Sequence, residues 1–234
     1  MSVSPFVIPQ PPQSVIAVAG EDRFFPVRRI WCVGRNYLDH IRELGHDERA
    51  PPFFFAKHAD MIDADGAVIP YPPLTQNLHH EVELIVAMKS GGLRIPADTA
   101  LDHVYGYAVG IDLTRRDLQN AVREKKQPWE IAKSFDHAAP SGALQPAARI
   151  GHPSKGHIWL TVNGRETQSG DLAQMIWNVP EIIAQLSQQV ALDAGDIIMT
   201  GTPAGVSPLQ PGDHVECGCD GVGTLTVTIG QPAA

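Results

Sequence analysis

Glycine and proline are spread along the whole chain and divide it into short apolar segments. There are 21 glycines and 20 prolines in 234 residues. Both residue types interrupt regular elements, glycine through its conformational freedom and proline through its missing N–H. Such a pattern disfavours long helices that alternate with parallel strands. We therefore predict one α+β domain that is mostly β, built on a curled and mostly antiparallel sheet with short helices.

Individual segments predict strands and one hairpin. The strand segments are 28–34, 80–88, 105–113, 196–202, 214–219 and 223–230. Asn163-Gly164 lies between alternating residues and predicts a two-residue hairpin turn.

Three segments predict helices, at 37–44, from about Thr114, and at 179–190. The first is followed by Gly45, which is typical of a helix end. Thr114 and Asp117 have the spacing of a capping box. Asn178 is a suitable N-cap for the last helix.

Composition narrows the class of protein. Asp and Glu number 26 against 18 Lys and Arg, so the formal net charge is −8 and a nucleic-acid partner is not expected. No apolar run is long enough to predict a membrane span.

Residues 1–27 are predicted to be a proline-interrupted arm, not a signal peptide, and 28–234 a single catalytic domain. Three cysteines with no disulfide or zinc spacing suit the cytoplasm.

Three acidic residues lie at the edges of apolar strands. Glu81 and Glu83 are two residues apart, so a strand would place them on one face. Asp112 ends a second apolar run. Buried carboxylates are costly without a partner, and Mg²⁺ or Mn²⁺ would take their oxygens as ligands. The alternatives are a solvated strand face for the glutamates and a helix N-cap for Asp112.

Other polar residues have spacings that permit chemistry. His40 and Glu43 are neighbours on one face of the predicted helix, where the carboxylate could orient the imidazole. An ordinary surface pair is the alternative. His79 and His80 are interpreted as turn or supporting residues.

Cationic and amide side chains follow the acidic segments. Arg116 and Gln119 continue the helical spacing from Asp112, and Lys133 stands in EIAKSFD. The alternatives are a salt bridge for Arg116 and a solvated face for Gln119. The loop at 200–206 could bind a carboxylate or be a simple turn.

These residues occur in seven ordered stretches that resemble the fumarylacetoacetate hydrolase superfamily. They are CVGRNYLDHIRELG, PPFFFAKHAD, HHEVELIVAM, YGYAVGIDLTRRDLQ, AKSFDHAAPSG, LTVNGRETQSG and DIIMTGTPAGV. Within it, PVRRIWCVGRNY, PPFFFAKHAD and DLTRRDLQ followed by Pro-Trp are most similar to the members that hydrolyse fumarylpyruvate in gentisate degradation. The resemblance implies a mixed β-roll or sandwich, a homodimer and a magnesium ion.

The resemblance also implies roles for individual residues. Metal ligands would be Glu81, Glu83 and Asp112. Catalytic residues would be His40 and Glu43, carried on a mobile segment, with Lys133. Substrate contacts are implied for Gln119, Thr200, Gly201 and Thr202. Arg35 and Arg116 are also expected to bind substrate, because with Lys57, Lys133 and the metal they could form a positive pocket for an anion. The chain departs from the family pattern at His58, where proline is common, and at Ser134, where glycine is common.

We therefore expect a hydrolase that cleaves the carbon–carbon bond of a small anionic acylpyruvate, with fumarylpyruvate as the first choice. The metal and Lys133 would stabilise the developing pyruvate enolate, and His40 would deprotonate a water molecule. One alternative is an oxaloacetate decarboxylase or keto–enol isomerase with the same site. Another is a non-catalytic module that binds metal or carboxylate.

Overall fold

The structure is a computed structural model that describes residues 6–37 and 51–232. Its strands are β1 (Val15–Ala17), β2 (Phe24–Pro26), β3 (Arg29–Gly34), β4 (Phe53–Lys57), β5 (Val68–Tyr71), β6 (Leu78–His79), β7 (Val82–Met88), β8 (Val104–Ile111), β9 (Thr114–Arg115), β10 (Gln145–Pro146), β11 (His157–Val162), β12 (Arg165–Asp171), β13 (Asp196–Met199), β14 (Pro208–Leu209), β15 (His214–Cys219) and β16 (Gly223–Pro232). Its α-helices are α1 (Arg116–Glu124), α2 (Glu130–Lys133), α3 (Ala147–Ile150) and α4 (Val179–Gln189).

A six-stranded sheet with the order β10-β8-β7-β13-β3-β4 forms the centre of the fold. Its pairs are antiparallel except for β13 and β3, which are parallel. Every residue of β7 and β13 is buried. Strands covered on both faces are mostly apolar, which explains the unbroken hydrophobic run LIVAM at the end of β7.

A five-stranded sheet, ordered β12-β11-β15-β16-β5, lies against the first. Its β11–β12 hairpin turns at Asn163 and Gly164, with φ of 53° and 77°. Both values are left-handed, as the predicted two-residue turn requires. The hairpin prediction is confirmed, and so is the mostly-β α+β fold.

Helix α4 begins as the sequence predicts. Asn178 Oδ1 accepts a hydrogen bond from the Glu181 N–H at 3.0 Å, and Glu181 Oε2 accepts one from the Asn178 N–H at 3.0 Å. This reciprocal pair satisfies two N–H groups that a helix terminus leaves without partners.

The predicted capping box at Thr114 and Asp117 is wrong. Thr114 belongs to β9, and α1 begins two residues later. The Asp117 carboxylate instead accepts hydrogen bonds from Thr75 Oγ1 at 2.5 Å and from the Gln76 N–H at 2.9 Å. Tertiary contacts therefore occupy the Asp117 carboxylate, and Thr114 does not lie at the N-cap position of α1.

Two sequence predictions remain open. Beyond Tyr37, the helix predicted at 37–44 lies outside the described residues. The division into an arm over 1–27 and a domain over 28–234 stays a prediction. No helix in the described part of the chain has the length and apolar character needed to cross a membrane.

Candidate metal centre

Antiparallel pairing of β7 and β8 brings the three acidic residues together. Val82 lies opposite Ile111, and the Asp112 N–H donates to the Glu81 carbonyl at 2.8 Å. One carboxylate oxygen from each of Glu81, Glu83 and Asp112 lies within 4.8 Å of the others. The three residues are 8%, 2% and 0% exposed, so they do not form a solvated strand face.

Neighbouring charges affect the carboxylates of this acidic triad in opposite directions. Burial opposes ionisation of Glu81, but the nearby Lys133 and Arg116 lower its pKa to about 2. Burial and the charges of Asp112 and Glu81 raise the pKa of Glu83 well above its ordinary value. Glu83 Oε2 accepts a hydrogen bond from the Gly201 N–H at 2.7 Å. A divalent cation that takes oxygen ligands would remove the repulsion, so the triad fits a metal ion.

Lys133 joins two members of the triad. It follows Ala132 at the end of α2 and is 2% exposed. Its Nζ lies 2.8 Å from Glu81 Oε2 and 2.7 Å from Asp112 Oδ2, and it donates to Thr114 Oγ1 at 2.7 Å. Burial lowers the pKa of Lys133, but the charges of Asp112 and Glu81 outweigh burial and raise it. Lys133 is thus a fixed cation at the triad.

A second buried lysine supports this arrangement. Lys57, at the end of β4, places its Nζ 2.8 Å from Asp112 Oδ1. It also donates to the Leu113 carbonyl at 3.1 Å and to the Lys133 carbonyl. From the sequence, Lys57 was only one possible cation of a positive pocket. The structure shows that it connects the segments carrying Asp112 and Lys133.

The two departures from the family pattern lie beside Lys57 and Lys133. His58 is exposed. Ser134 Oγ donates to the Ala56 carbonyl at 2.7 Å, which links the end of α2 to β4. Neither residue lines the cavity above the triad, within the part of the chain that the structure describes.

One face of α1 lines the cavity that opens above the triad. Arg116 donates hydrogen bonds to Glu81 and to Gln119. Gln119 is buried and Arg123, one turn further along, also lines the cavity. Positions separated by three, four and seven residues share a helix face. Arg123 was missed in the sequence, although continuing the spacing from Arg116 and Gln119 would have found it.

The three residues of the 200–202 loop differ in their position relative to the cavity. Thr200 Oγ1 donates to the Leu84 carbonyl at 3.0 Å, and Thr200 is fully buried. Gly201 has a φ of +96°, which favours glycine and aims its N–H at Glu83. Thr202 is the member of the loop that lines the cavity. A substrate-binding role for the loop stays a prediction.

The rest of the cavity wall is cationic and aromatic. Arg35, the residue after β3, lines it together with Phe55 and Trp129. The Phe55 and Trp129 rings have centroids 5.9 Å apart, and Lys133 Nζ lies 5.2 Å from the Phe55 centroid. This combination offers a flat apolar surface between charged groups.

Gln168 fixes the elements around the triad and was not found from the sequence. Its Oε1 accepts from the Val82 N–H at 3.0 Å and faces His80 Nδ1 at 2.8 Å. Its Nε2 donates to Thr202 Oγ1 at 2.7 Å and to the Pro203 carbonyl at 2.9 Å. Because Oε1 only accepts, His80 carries its proton on Nδ1 and supports the site, as predicted.

Replacing Gln168 by leucine should lower the free energy of unfolding by about 3 kcal/mol, because several buried polar groups lose their partners. Urea denaturation measures this change. Gln189 is exposed on α4, and Gln189→Leu is the control with no expected loss. Equal stability of the two variants would contradict the bracing role of Gln168.

His40 and Glu43 lie outside the described residues, so their predicted catalytic roles stay predictions. Of the other predicted site residues, the structure brings to one cavity Arg35, Glu81, Glu83, Asp112, Arg116, Gln119, Lys133 and Thr202.

Comparison with known proteins matches most of the chain to one family and to its members. The Fumarylacetoacetate (FAA) hydrolase C-terminal family matches residues 29–230. The mitochondrial oxaloacetate tautomerase of Homo sapiens is 40% identical over 214 residues, which is 88% of this chain and 97% of that protein. The mitochondrial oxaloacetate decarboxylase of Dictyostelium discoideum is 37% identical over 84% of this chain and 91% of its own length.

A solved structure also matches nearly the whole chain. The fumarylpyruvate hydrolase from Pseudomonas aeruginosa, in complex with Mn²⁺ and pyruvate, is 44% identical with a TM-score of 0.94. The match covers 97% of this chain and 99% of that chain.

Proposed function

This chain belongs to the fumarylacetoacetate hydrolase family, and on that premise we propose that it is a metal-dependent hydrolase that cleaves the carbon–carbon bond of an acylpyruvate. The proposed substrate is fumarylpyruvate, which would yield fumarate and pyruvate. The observation that carries the proposal is the buried acidic triad, with Lys133 bound to two of its members. Similarity to the Pseudomonas aeruginosa fumarylpyruvate hydrolase over nearly the whole chain supports it.

Glu81, Glu83 and Asp112 are the proposed metal ligands, and Mg²⁺ is the proposed ion, with Mn²⁺ as a substitute. Their carboxylate oxygens are the ligands that hard cations prefer. When bound, such an ion supplies Lewis acidity toward the carboxylate and keto oxygens of an acylpyruvate.

The charges around the triad suit an anionic substrate. Lys57, Lys133 and Arg116 contact Glu81 and Asp112, so these cations equal the carboxylates of the triad in number. A divalent ion would add positive charge to a balanced centre, so a bound carboxylate would be attracted. This local balance outweighs the formal net charge of −8 on the whole chain.

Hydrolysis needs an activated water molecule and a stabilised leaving group. We propose that Glu43 orients His40, which takes a proton from the water as its oxygen attacks the distal acyl carbonyl. The carbon–carbon bond then breaks, and its electron pair leaves with the pyruvate fragment as an enolate. Lys133 faces the developing negative charge, and a proton returned from His40 to the enolate carbon would complete pyruvate.

Replacing His40 by alanine should lower turnover of fumarylpyruvate by about 100-fold or more, because general base catalysis would be lost. Magnesium affinity, measured by calorimetry, should remain because the three carboxylates are intact. Near-normal turnover in the variant would remove His40 from the mechanism.

The direct test of the proposed function is a spectrophotometric assay with fumarylpyruvate and Mg²⁺. Loss of the conjugated enol absorbance, with fumarate and pyruvate formed in equal amounts, is the expected result. Fumarylpyruvate left intact by the magnesium-loaded protein would reject the proposal.

A second candidate is an oxaloacetate tautomerase or decarboxylase. The named relatives from Homo sapiens and Dictyostelium discoideum favour it. The His40–Glu43 pair favours hydrolysis, because decarboxylation needs no activated water. Comparing turnover of fumarylpyruvate, acetylpyruvate and oxaloacetate separates the candidates, and binding without turnover of any of them would indicate a non-catalytic module.

The setting of the enzyme is also a proposal. We propose a cytoplasmic homodimer acting in the breakdown of aromatic compounds, with a small diketo acid as substrate and neither nucleic acid nor membrane as partner. The three cysteines are free and buried, which agrees with a reducing compartment. Light scattering of the purified protein measures the oligomeric state.

A further inference from the structure

Two arginines of the cavity are separate from the cations that contact the acidic triad. Arg35 and Arg123 both line the cavity, but neither contacts the acidic triad among the described residues. Within residues 6–37 and 51–232, neither guanidinium has a carboxylate partner. Cations that line a cavity raise the local concentration of anions in it.

The course of α1 places Arg123 away from the triad. Arg116, at the first residue of the helix, contacts Glu81 and is half-buried, whereas Arg123 is exposed. Seven residues of α-helix separate these two positions by about 10 Å along the axis. The face of α1 that lines the cavity therefore runs from the metal centre outward, and Arg123 lies at its outer end.

The backbone holds Arg35 in an uncommon conformation. Its φ is +61°, a left-handed value that residues other than glycine rarely adopt. The next residue, Asn36, is 1% exposed; its Nδ2 donates to the Thr200 carbonyl at 2.8 Å and its Oδ1 accepts from the Trp177 N–H at 2.8 Å. These hydrogen bonds fix Asn36, and they thereby hold Arg35 in its left-handed conformation beside the cavity.

The two arginines are close enough to affect each other. Burial and the positive charge of Arg123 lower the pKa of Arg35. A bound carboxylate would replace this repulsion with two charge-assisted contacts. Phe55 and Trp129 line the cavity as well, and their rings give a planar conjugated chain an apolar surface to lie on.

We propose that Arg35 and Arg123 form a second carboxylate subsite, so that the enzyme selects dicarboxylates whose second carboxylate lies far from the α-keto acid group. The inference rests on the proposed function, in which the α-keto acid group binds at the metal centre. Fumarylpyruvate has such a distal carboxylate. Acetylpyruvate has none, and the carboxylates of oxaloacetate lie closer together.

The first test is the substrate preference of Arg123→Gln. Its kcat/KM for fumarylpyruvate should fall about tenfold or more, the effect of losing one hydrogen bond to a charged group. Its kcat/KM for acetylpyruvate should change less than about twofold on the same principle, because that substrate makes no such bond. Equal losses on both substrates, or no loss on either, would overturn the proposal.

Matched controls separate this effect from a general loss of positive charge or of folding. Lys125→Gln removes the same charge from an exposed residue directly after α1 and should change neither substrate. Arg123→Lys keeps the charge and should recover part of the preference. A preference lost equally in Lys125→Gln would count against a specific subsite.

The second test does not depend on hydrolysis. Calorimetry in saturating Mg²⁺ compares α-ketopimelate, which has the chain length of fumarylpyruvate and both carboxylates, with α-ketoheptanoate, which lacks the distal one. Wild-type protein should bind α-ketopimelate about tenfold more tightly, and Arg123→Gln should remove the difference. Equal affinities in the wild type would overturn the subsite even if fumarylpyruvate is hydrolysed. A preference for α-ketopimelate in a protein that does not hydrolyse fumarylpyruvate would support the subsite and reject the proposed function.

Discussion

Replacing Glu83 by glutamine should abolish metal-dependent turnover without destabilising the protein. In the metal-free protein, Glu83 is buried beside two other carboxylates, and burial with their charges raises its pKa well above the ordinary value. A neutral amide removes that repulsion and can still accept from the Gly201 N–H, which lies 2.7 Å from Glu83 Oε2. A metal ion would lose one charged ligand. Turnover should fall at least about 1,000-fold and magnesium affinity at least about 100-fold.

The two measurements are an assay of turnover against magnesium concentration and urea denaturation without metal. The free energy of unfolding should be unchanged or higher in Glu83→Gln, because a glutamine needs no counter-charge. Glu166→Gln, at an exposed position of β12, is the control and should leave all three quantities unchanged. Unaltered magnesium dependence in Glu83→Gln would reject the proposed ligand set.

Replacing Lys133 by methionine should reduce both turnover and stability. The substitution leaves Glu81 and Asp112 without the cation that now lies 2.8 Å and 2.7 Å from their oxygens. Removing one partner of a buried ion pair costs about 3–5 kcal/mol of unfolding free energy. Turnover should fall at least about 1,000-fold, because the charge proposed to stabilise the developing enolate is lost.

Magnesium should distinguish this variant from Glu83→Gln. All three carboxylates remain in Lys133→Met, so magnesium should still bind and restore part of the stability by neutralising them. Lys89→Met, at an exposed residue after β7, is the matched control with no expected change. Wild-type turnover in Lys133→Met would remove the lysine from the mechanism, and loss of magnesium binding would indicate that it positions the ligands.

Elements defined by neighbouring residues were predictable. The Asn163-Gly164 turn depends on two residues that tolerate left-handed φ. The start of α4 depends on Asn178 and Glu181, whose side chains and N–H groups bind each other. In both, the partners lie within four residues of sequence, so the sequence pattern contains the whole interaction.

Where distant groups compete, the local pattern failed. Thr114 and Asp117 have capping-box spacing, but Thr114 accepts from Lys133 and Asp117 accepts from Thr75. Gln168 forms hydrogen bonds with Thr202 and Pro203 and with the segment around Val82, which is the most distant of its partners in sequence. No spacing rule relates such positions, because their proximity arises only when the two larger sheets pack together.

The sequence by itself determined the family and the residues of the candidate metal centre, through the acidic residues, Lys133 and the ordered motifs of the family. It also determined the mostly-β fold, because its short apolar runs and frequent turns disfavour longer elements. Only the tertiary structure showed that oxygens of the three acids lie within 4.8 Å of one another and that Lys57 forms a salt bridge with Asp112. It also showed that Arg123, on α1, lines the cavity. The reason is physical, since side-chain type is local to a residue, whereas distance, burial and charge balance depend on every segment that folds against it.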